Sequence, residues 1–199
     1  MTGIVGESVT VAVDATGMES HHVSRHYLHR CKRSKHYRRW PKLTFAVDVD
    51  SHIIGGVVSG IGPSNDSPGF PAVILQAARR MNVHRVLADR GFDSEAHHIL
   101  CRRRLHIPVT VIPVNRRRTR KWPKTEYRRR MRRSFPKRVY RQRNQIESVN
   151  SRFKRRLGSA LSAHSETGRE AECLFRVLTH NLMILRCDYL CFLQSQLRI

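Results

Sequence analysis

The sequence predicts an α/β domain: a mixed five-stranded sheet flanked by helices, with a basic insertion before the last site-bearing helix. Three observations carry this expectation. Val9, Val11 and Val13 alternate with Thr10, Ala12 and Asp14, the period-two pattern of a half-buried strand. Two β-rich runs, Leu43 to Val49 and His52 to Ser59, follow one another through Asp50-Ser51 as an antiparallel pair would. From Pro71 onward, helical and strand patterns alternate.

Taken in order, the first strand ends in Asp14, with Ala15-Thr16-Gly17 reading as its exit. A polar, His- and Arg-rich connection from Met18 to Pro41 leads to the antiparallel pair. Gly62, Pro63, Asn65, Asp66 and Pro68 break the pattern before a helix at about Pro71 to Met81. A strand from Arg85 to Ala88 ends at Asp89. A cap at Asp93 or Ser94 opens a helix to about Arg104, and Ile107 to Val114 is a strand with Pro108 and Pro113 towards its ends. The order to this point is β-β-β-α-β-α-β.

From Asn115 to Arg143 the chain carries fifteen Lys or Arg, and Pro123 and Pro136 interrupt any long helix. This predicts an exposed basic arm, about 115–138, with one short helix. Val139 to about Leu161 reads as a helix, Ser162 to Gly168 as a turn, and Arg169 to Leu193 as a closing amphipathic helix, buried or half-buried. The 199 residues suit one domain, with a 40% hydrophobic content that can build a core.

Charge is the extreme quantity. Lys and Arg number 38 against 15 Asp and Glu, a formal net charge of +23. This calls for a polyanionic partner, with nucleic acid ahead of an anionic membrane, because the basic residues come in several blocks and not along one amphipathic helix. Five cysteines without a paired C-x2-C spacing suggest neither a disulfide framework nor a zinc ribbon, and fit a reducing compartment. The amino terminus does not read as a signal peptide. The apolar stretch Cys173 to Leu193 contains Arg176, His180, Arg186 and Asp188, which a membrane span would not readily tolerate.

Tyr140, Arg143, Glu147 and Lys154, spaced Y-x2-R-x3-E-x6-K, fall within roughly 60° on a helical wheel. Beside them Ile146, Val149, Phe153 and Leu157 form an apolar stripe. One helix thus presents a carboxylate flanked by two cations and a phenol. Asp14 and Asp89, each at the end of a predicted strand, could join Glu147 around a pair of hard divalent cations, Mg²⁺ or Mn²⁺. Two such ions roughly 3.5 to 4 Å apart activate a nucleophile on one side of a phosphate and stabilise the leaving oxygen on the other.

Each of these residues also has a plainer structural reading. A strand-end Asp is commonly a turn former or helix cap, and Arg143 with Glu147 is an ordinary i,i+4 ion pair. Glu126 rivals Glu147, but its neighbourhood offers only Tyr127 and Met131 as apolar contacts, so no well-packed face would hold it. Asp66 and Asp93 read as a loop residue and a cap. His21, His22, His26, His29, Cys31 and His36 complete no four-ligand zinc pattern and read as surface residues that help bind DNA. Trp122 and Tyr127, within the basic arm, could stack on bases or sugars.

The strand and helix order, with acids on the first and fourth strands and on a later helix, is the layout of the ribonuclease H-like fold. The tyrosine-to-lysine spacing resembles the YREK signature of DDE insertion-sequence transposases, insertion-sequence family four and its relatives. Val11-Ala12-Val13-Asp14-Ala15-Thr16 resembles the block around their first aspartate, and Leu87-Ala88-Asp89-Arg90-Gly91-Phe92-Asp93-Ser94 the block around their second. Asn65-Asp66 resembles an extra loop aspartate, and His180-Asn181-Leu182 a motif of their last helix.

The resemblance covers nearly the whole chain as one catalytic domain. It implies that Asp14, Asp89 and Glu147 are catalytic metal ligands for two Mg²⁺, with Mn²⁺ able to substitute. Arg143 and Lys154 would hold DNA phosphates, and Tyr140 would contact a phosphate or stack near the cleaved nucleotide. It also implies cleavage at transposon ends, strand transfer into target DNA, a homodimer assembled on DNA, and a bacterial or archaeal cytoplasmic, nucleoid-associated location without a membrane partner. Family members carry a helical DNA-binding region upstream of the first strand, so the chain is expected to be truncated at its N-terminus. A remnant that only binds DNA or RNA and a related ribonuclease H-like nuclease are the alternatives.

Overall fold

The computed structural model describes residues 6–20, 40–115 and 122–196. The His- and Cys-bearing stretch from His21 to His36 lies outside these described residues. Five strands form one sheet: β1 (Val9–Gly17), β3 (Trp40–Asp48), β4 (Ile54–Gly62), β5 (Val83–Ala88) and β6 (Val109–Val111), in the order β4-β3-β1-β5-β6. A two-residue strand, β2 (Glu19–Ser20), pairs in parallel with β7 (Ala160–Leu161) to make a small second sheet. In the main sheet β3 runs antiparallel to β1 and β4, while β1, β5 and β6 are parallel. This mixed sheet, flanked by helices, is the predicted ribonuclease H-like arrangement.

Period-two alternation sorts the strands' side chains between two cores. Val11 and Val13 point to the face covered by α1 (Phe70–Arg80) and by α2, a helical turn at Glu95–Ile99 that widens into a π-helical turn at Leu100–Arg104. Phe70, Val73, Ile74 and Ala77 of α1 pack there with Val86, Ala88 and Phe92. Gly56 permits the close approach of α1, because a Cβ there would stand 2.3 Å from the Val73 carbonyl oxygen. On the opposite face Ala12, Phe45 and Val47 meet Ile146, Val149 and Phe153 of α5 (Asn144–Leu157), the predicted stripe, together with Cys173 and Val177 of α6 (Glu166–Gln196).

Four sequence expectations are revised. β1 does not end at Asp14: it continues to Gly17, paired with β3 from Asp14↔Phe45 to Gly17↔Lys42. Gly17 suits that strand because the Trp40 indole lies over it, 3.0 Å from where a Cβ would be. The prolines shorten the last strand of the sheet to Val109–Val111. The helix expected over Val139 to Leu161 is three pieces, namely α4 (Lys137–Tyr140), a 3-10 turn at Arg141–Arg143, and α5. Tyr140 and Arg143 therefore precede α5.

The described part of the basic segment, from Trp122 on, is not a free arm either. α3 (Glu126–Arg133) buries Met131 against Leu87 and Val111, with Phe135, Val139 and Tyr140 packed alongside, while most of its arginines stay exposed.

α6 is held to the edge strand by the motif noted at His180-Asn181. The Asn181 amide donates to the Ile54 carbonyl at 3.0 Å and its oxygen accepts the Ile54 N–H at 2.9 Å, while a ring nitrogen of His180 lies 3.1 Å from the His52 carbonyl. These bonds satisfy backbone groups on an edge strand that would otherwise face solvent or another chain. Among the described residues no helix is long and apolar enough to cross a membrane.

Candidate active site

The parallel register of β1 and β5 brings the two strand acids to one level. Ala12 pairs with Leu87 and Val13 with Ala88, after which the two strands part. One residue further along each stand Asp14 and Asp89, both on the parity of Ala12 and Leu87. They therefore emerge on the face covered by α5 and the basic segment, where a crevice opens at the carboxyl ends of diverging parallel strands.

α5 supplies the third predicted acid and a neighbour that the sequence reading missed. The Asn150 side-chain N–H donates to Asp14 Oδ2 at 2.9 Å. Its own oxygen, Oδ1, is buried without a hydrogen-bond partner. Glu147, one turn earlier, is largely exposed and accepts from Arg143 Nη2 at 2.5 Å. The other arm of that guanidinium, Nη1, stands 3.9 Å from Asp14 Oδ1. Arg143 thus lies between two of the three predicted ligands. It also rests against the Tyr140 ring, 5.8 Å from its centre, and its Nε is buried and unpartnered.

The electrostatics follow from this crowding. Burial pushes the Asp14 carboxyl up to about 6 from an ordinary 3.8; Arg143 and the Ala15 backbone N–H pull it down, while Asp89 and Glu147 push it up further. Burial works against the Arg143 cation, but the Tyr140 phenol and the three acids outweigh it and raise its proton affinity. The Tyr140 phenol is itself raised, chiefly by burial. It packs edge-on against Phe135 with ring centres 5.0 Å apart.

Asp89 accepts an N–H from Gly91 at 3.3 Å, capping a short 3-10 turn at Arg90–Phe92. Lys154 is half-buried two turns beyond Glu147 and has no ion-pair partner among the described residues. No group of three or more His, Cys, Asp and Glu among the described residues lies close enough together to hold a metal. The three acids share one end of the sheet without closing around a point. Their donor chemistry nevertheless fits a hard divalent cation: a largely buried carboxylate at Asp14, a second carboxylate at Asp89, an exposed one at Glu147, and the orphaned Asn150 oxygen.

A cleft of about 690 Å³ opens beside Asp89, walled by Arg90, Arg132, Phe135, Lys137 and Tyr140. Arg132 stacks over the exposed Trp122 ring at 5.3 Å and keeps Nη1 buried without a partner. The wall is positioned by residues that the sequence did not single out for this task. Asp93 receives both Nε and Nη2 of Arg128 at 2.8 Å, and the Asn115 N–H at 2.8 Å. Glu95 accepts the N–H groups of Tyr127 and Arg128 at the start of α3. Asp93 is therefore a clamp for the basic segment and not a helix cap.

Glu126 does sit on a packed helix, contrary to expectation, since Met131 anchors it; its carboxylate pairs with the exposed Arg103 at 3.0 Å. Tyr127 lies under Arg102 and Arg103 and against His98, so its ring is engaged by the protein. Asp66 forms an ion pair with Lys42, and its Oδ2 is 3.3 Å from where a Cβ on Gly91 would stand, which seats it next to the turn that carries Asp89.

The family model described as "Transposase DDE domain" matches residues 6–182 of the chain. Among solved structures, the catalytic core domain of BIV integrase is similar at 14% identity with a TM-score of 0.47, covering 94% of this chain and 99% of that one. No curated protein matches.

Proposed function

Because the chain belongs to the transposase DDE domain family, we propose that Asp14, Asp89 and Glu147 are its metal-binding catalytic residues and that its substrate is DNA. The proposed reaction is phosphodiester cleavage at transposon ends followed by joining of the freed 3′ hydroxyl to target DNA, by a chain of the YREK-signature group working as a homodimer on DNA. The observation that carries this reading is the emergence of Asp14 and Asp89 side by side where β1 and β5 part, with Arg143 linking Asp14 to Glu147.

The acids and the Asn150 oxygen would hold Mg²⁺, or Mn²⁺ in its place. Two bound ions supply nucleophile activation and stabilisation of the leaving oxygen. The chain's own groups bind and orient the strand. Arg143, already set between acids, exchanges its contact with Glu147 for a phosphate oxygen, and Lys154 takes a second phosphate. Arg90, Arg132 and Lys137 line the path of the backbone beside Asp89, and the Tyr140 ring bounds the reacting nucleotide. Cations placed this way before reaction offset the charge of the scissile phosphate without reorganisation.

A nicking assay on supercoiled DNA with Mg²⁺ or Mn²⁺ tests the reading. The unaltered chain nicks, and Asp14→Ala, Asp89→Ala and Glu147→Ala do not, while all four bind DNA with the same steep salt dependence. Nicking that survives all three substitutions would overturn it. Binding without nicking by the unaltered chain would establish the second reading, a basic nucleic-acid binder, which the +23 charge alone favours.

A further inference from the structure

The eight residues of α3 include five arginines, and these divide by direction. At about 100° per residue, Tyr127, Arg128 and Met131 share the inner side. Arg128 is engaged by Asp93, Met131 is buried against Leu87 and Val111, and Tyr127 packs on His98. Arg132 walls the cleft beside Asp89. Arg129, Arg130 and Arg133 fall within an arc of about 100° on the outer side. All three are exposed and make no ion pair among the described residues. Glu126, the one acid of that arc, is taken by Arg103 at 3.0 Å.

Such a helix works against itself. Arg129 with Arg133 at i,i+4, and Arg130 with Arg133 at i,i+3, are like-charge pairs that oppose helix formation. The fold holds it in place all the same. Glu95 accepts the N–H groups of Tyr127 and Arg128 at 2.9 and 3.1 Å, which satisfies two donors of the first turn, while Asp93 fixes Arg128 and Met131 anchors the second turn. A charge run that is merely solvated needs no such mounting.

The mounting also has a direction. Met131 packs on Leu87, two residues before Asp89, so α3 stands on the same face of the sheet as the candidate active site. Around its axis, Arg129 follows the cleft wall at Arg132 by about 60°, so DNA leaving the cleft meets the outer arginines next. Eight residues make a rod about 12 Å long, which matches a major groove about 12 Å wide. The basic residues of α3 are all Arg and never Lys. A guanidinium fork matches the O6 and N7 acceptors of one guanine edge, where an ammonium is only a point charge.

Resting on the reading that the substrate is DNA, we propose that α3 lies in the major groove of the duplex beside the cleaved phosphate and that Arg129, Arg130 and Arg133 read guanine there. Arg129 and Arg133 stand one turn apart, about 6 Å, and so reach guanines one to two steps of about 3.4 Å apart.

The test reads binding alone, without divalent metal, by selection from short duplexes of randomised sequence. The unaltered chain enriches a guanine-containing motif, and 7-deazaguanine, which lacks N7, weakens binding several-fold at the contacted positions. Arg129→Lys and Arg133→Lys keep charge and fold, since both side chains are exposed. Each lowers the preference for its own guanine by about 10-fold or more, with the salt slope of binding unchanged. Salt-sensitive binding that enriches no sequence overturns base reading by α3 and leaves DNA as the substrate; no DNA binding at all overturns both. The same motif selected by the variant with all three arginines changed to Lys also overturns the proposal.

Discussion

Asp14 and Asp93 are both largely buried carboxylates beside an arginine, and their circumstances are opposite. Asp93 is closed: Arg128 grips both its oxygens, a backbone N–H adds a third bond, and only 2% of the side chain is exposed. Asp14 is more open, with one side-chain amide bond from Asn150, the Ala15 backbone N–H, an arginine at 3.9 Å that is engaged elsewhere, and a proton affinity raised by burial. A satisfied buried charge builds structure. A buried charge left short of partners costs stability and is kept where a ligand completes it.

The contrast can be tested from its largest expected effect downwards. On the proposed assignment, removing Asp14, Asp89 or Glu147 as Ala should lower the cleavage rate by about 10³-fold or more, since losing a proposed metal ligand would forfeit several kcal/mol of transition-state stabilisation. The same substitution of Asp93 should act on folding instead. Asp93→Ala strands Arg128 and costs about 3 kcal/mol, the low end for breaking a buried pair because Arg128 is 30% exposed. A thermal midpoint lowered by about 6–12 °C would register it; an unchanged midpoint breaks the comparison.

Asp14→Asn should do the reverse and stabilise the fold. A carboxyl raised to about 6 binds its proton more tightly folded than unfolded, so the ionised group costs stability above pH 6 and the cost fades as pH falls towards 3.8. The variant should gain about 1–2 kcal/mol at pH 7.5, after loss of the Arg143 attraction, and little at pH 4. Equal midpoints for the two proteins at pH 7.5 would mean that Asp14 is as satisfied as Asp93.

Arg143→Gln should tighten Mn²⁺ binding by the DNA-free protein roughly fivefold, because a cation 3.9 Å from a carboxylate opposes a second cation by at least about 1 kcal/mol. Calorimetric titration reads this directly, and weaker binding would show that Arg143 assists the metal. The smallest effect belongs to Lys154→Ala, which should reduce the salt slope of DNA binding by about 1 if that side chain meets one phosphate.

Much of this was legible in the sequence. Alternation in Val9 to Val13 and the helical stripe Ile146, Val149 and Phe153 located the strand and helix that flank the site, since burial on one face leaves a periodic trace. What was missed leaves no such trace. The Asp93–Arg128 clamp joins residues 35 apart in the chain, and a short helix within an arginine run has no period beyond a single buried Met131. Asn150 did leave a signal: on the wheel it lies about 20° beyond Arg143, at the edge of the arc that groups Tyr140, Arg143, Glu147 and Lys154. The end of β1 was misjudged because Ala15-Thr16-Gly17 resembles a turn until Trp40, far along the chain, is seen lying over Gly17.

The bond from Asn150 to Asp14 spans 136 residues, and the little ladder of β2 with β7 ties Glu19 to Ala160 just beyond it. Its consequence is one of timing. At about 5–20 residues per second of synthesis, Asn150 follows Asp14 from the ribosome by on the order of ten seconds. Late in that interval the nascent chain can pair β1 with β3 and β5 yet has no α5 to lay over them. A candidate site assembled this way stays incomplete during translation and closes only as the last helices arrive.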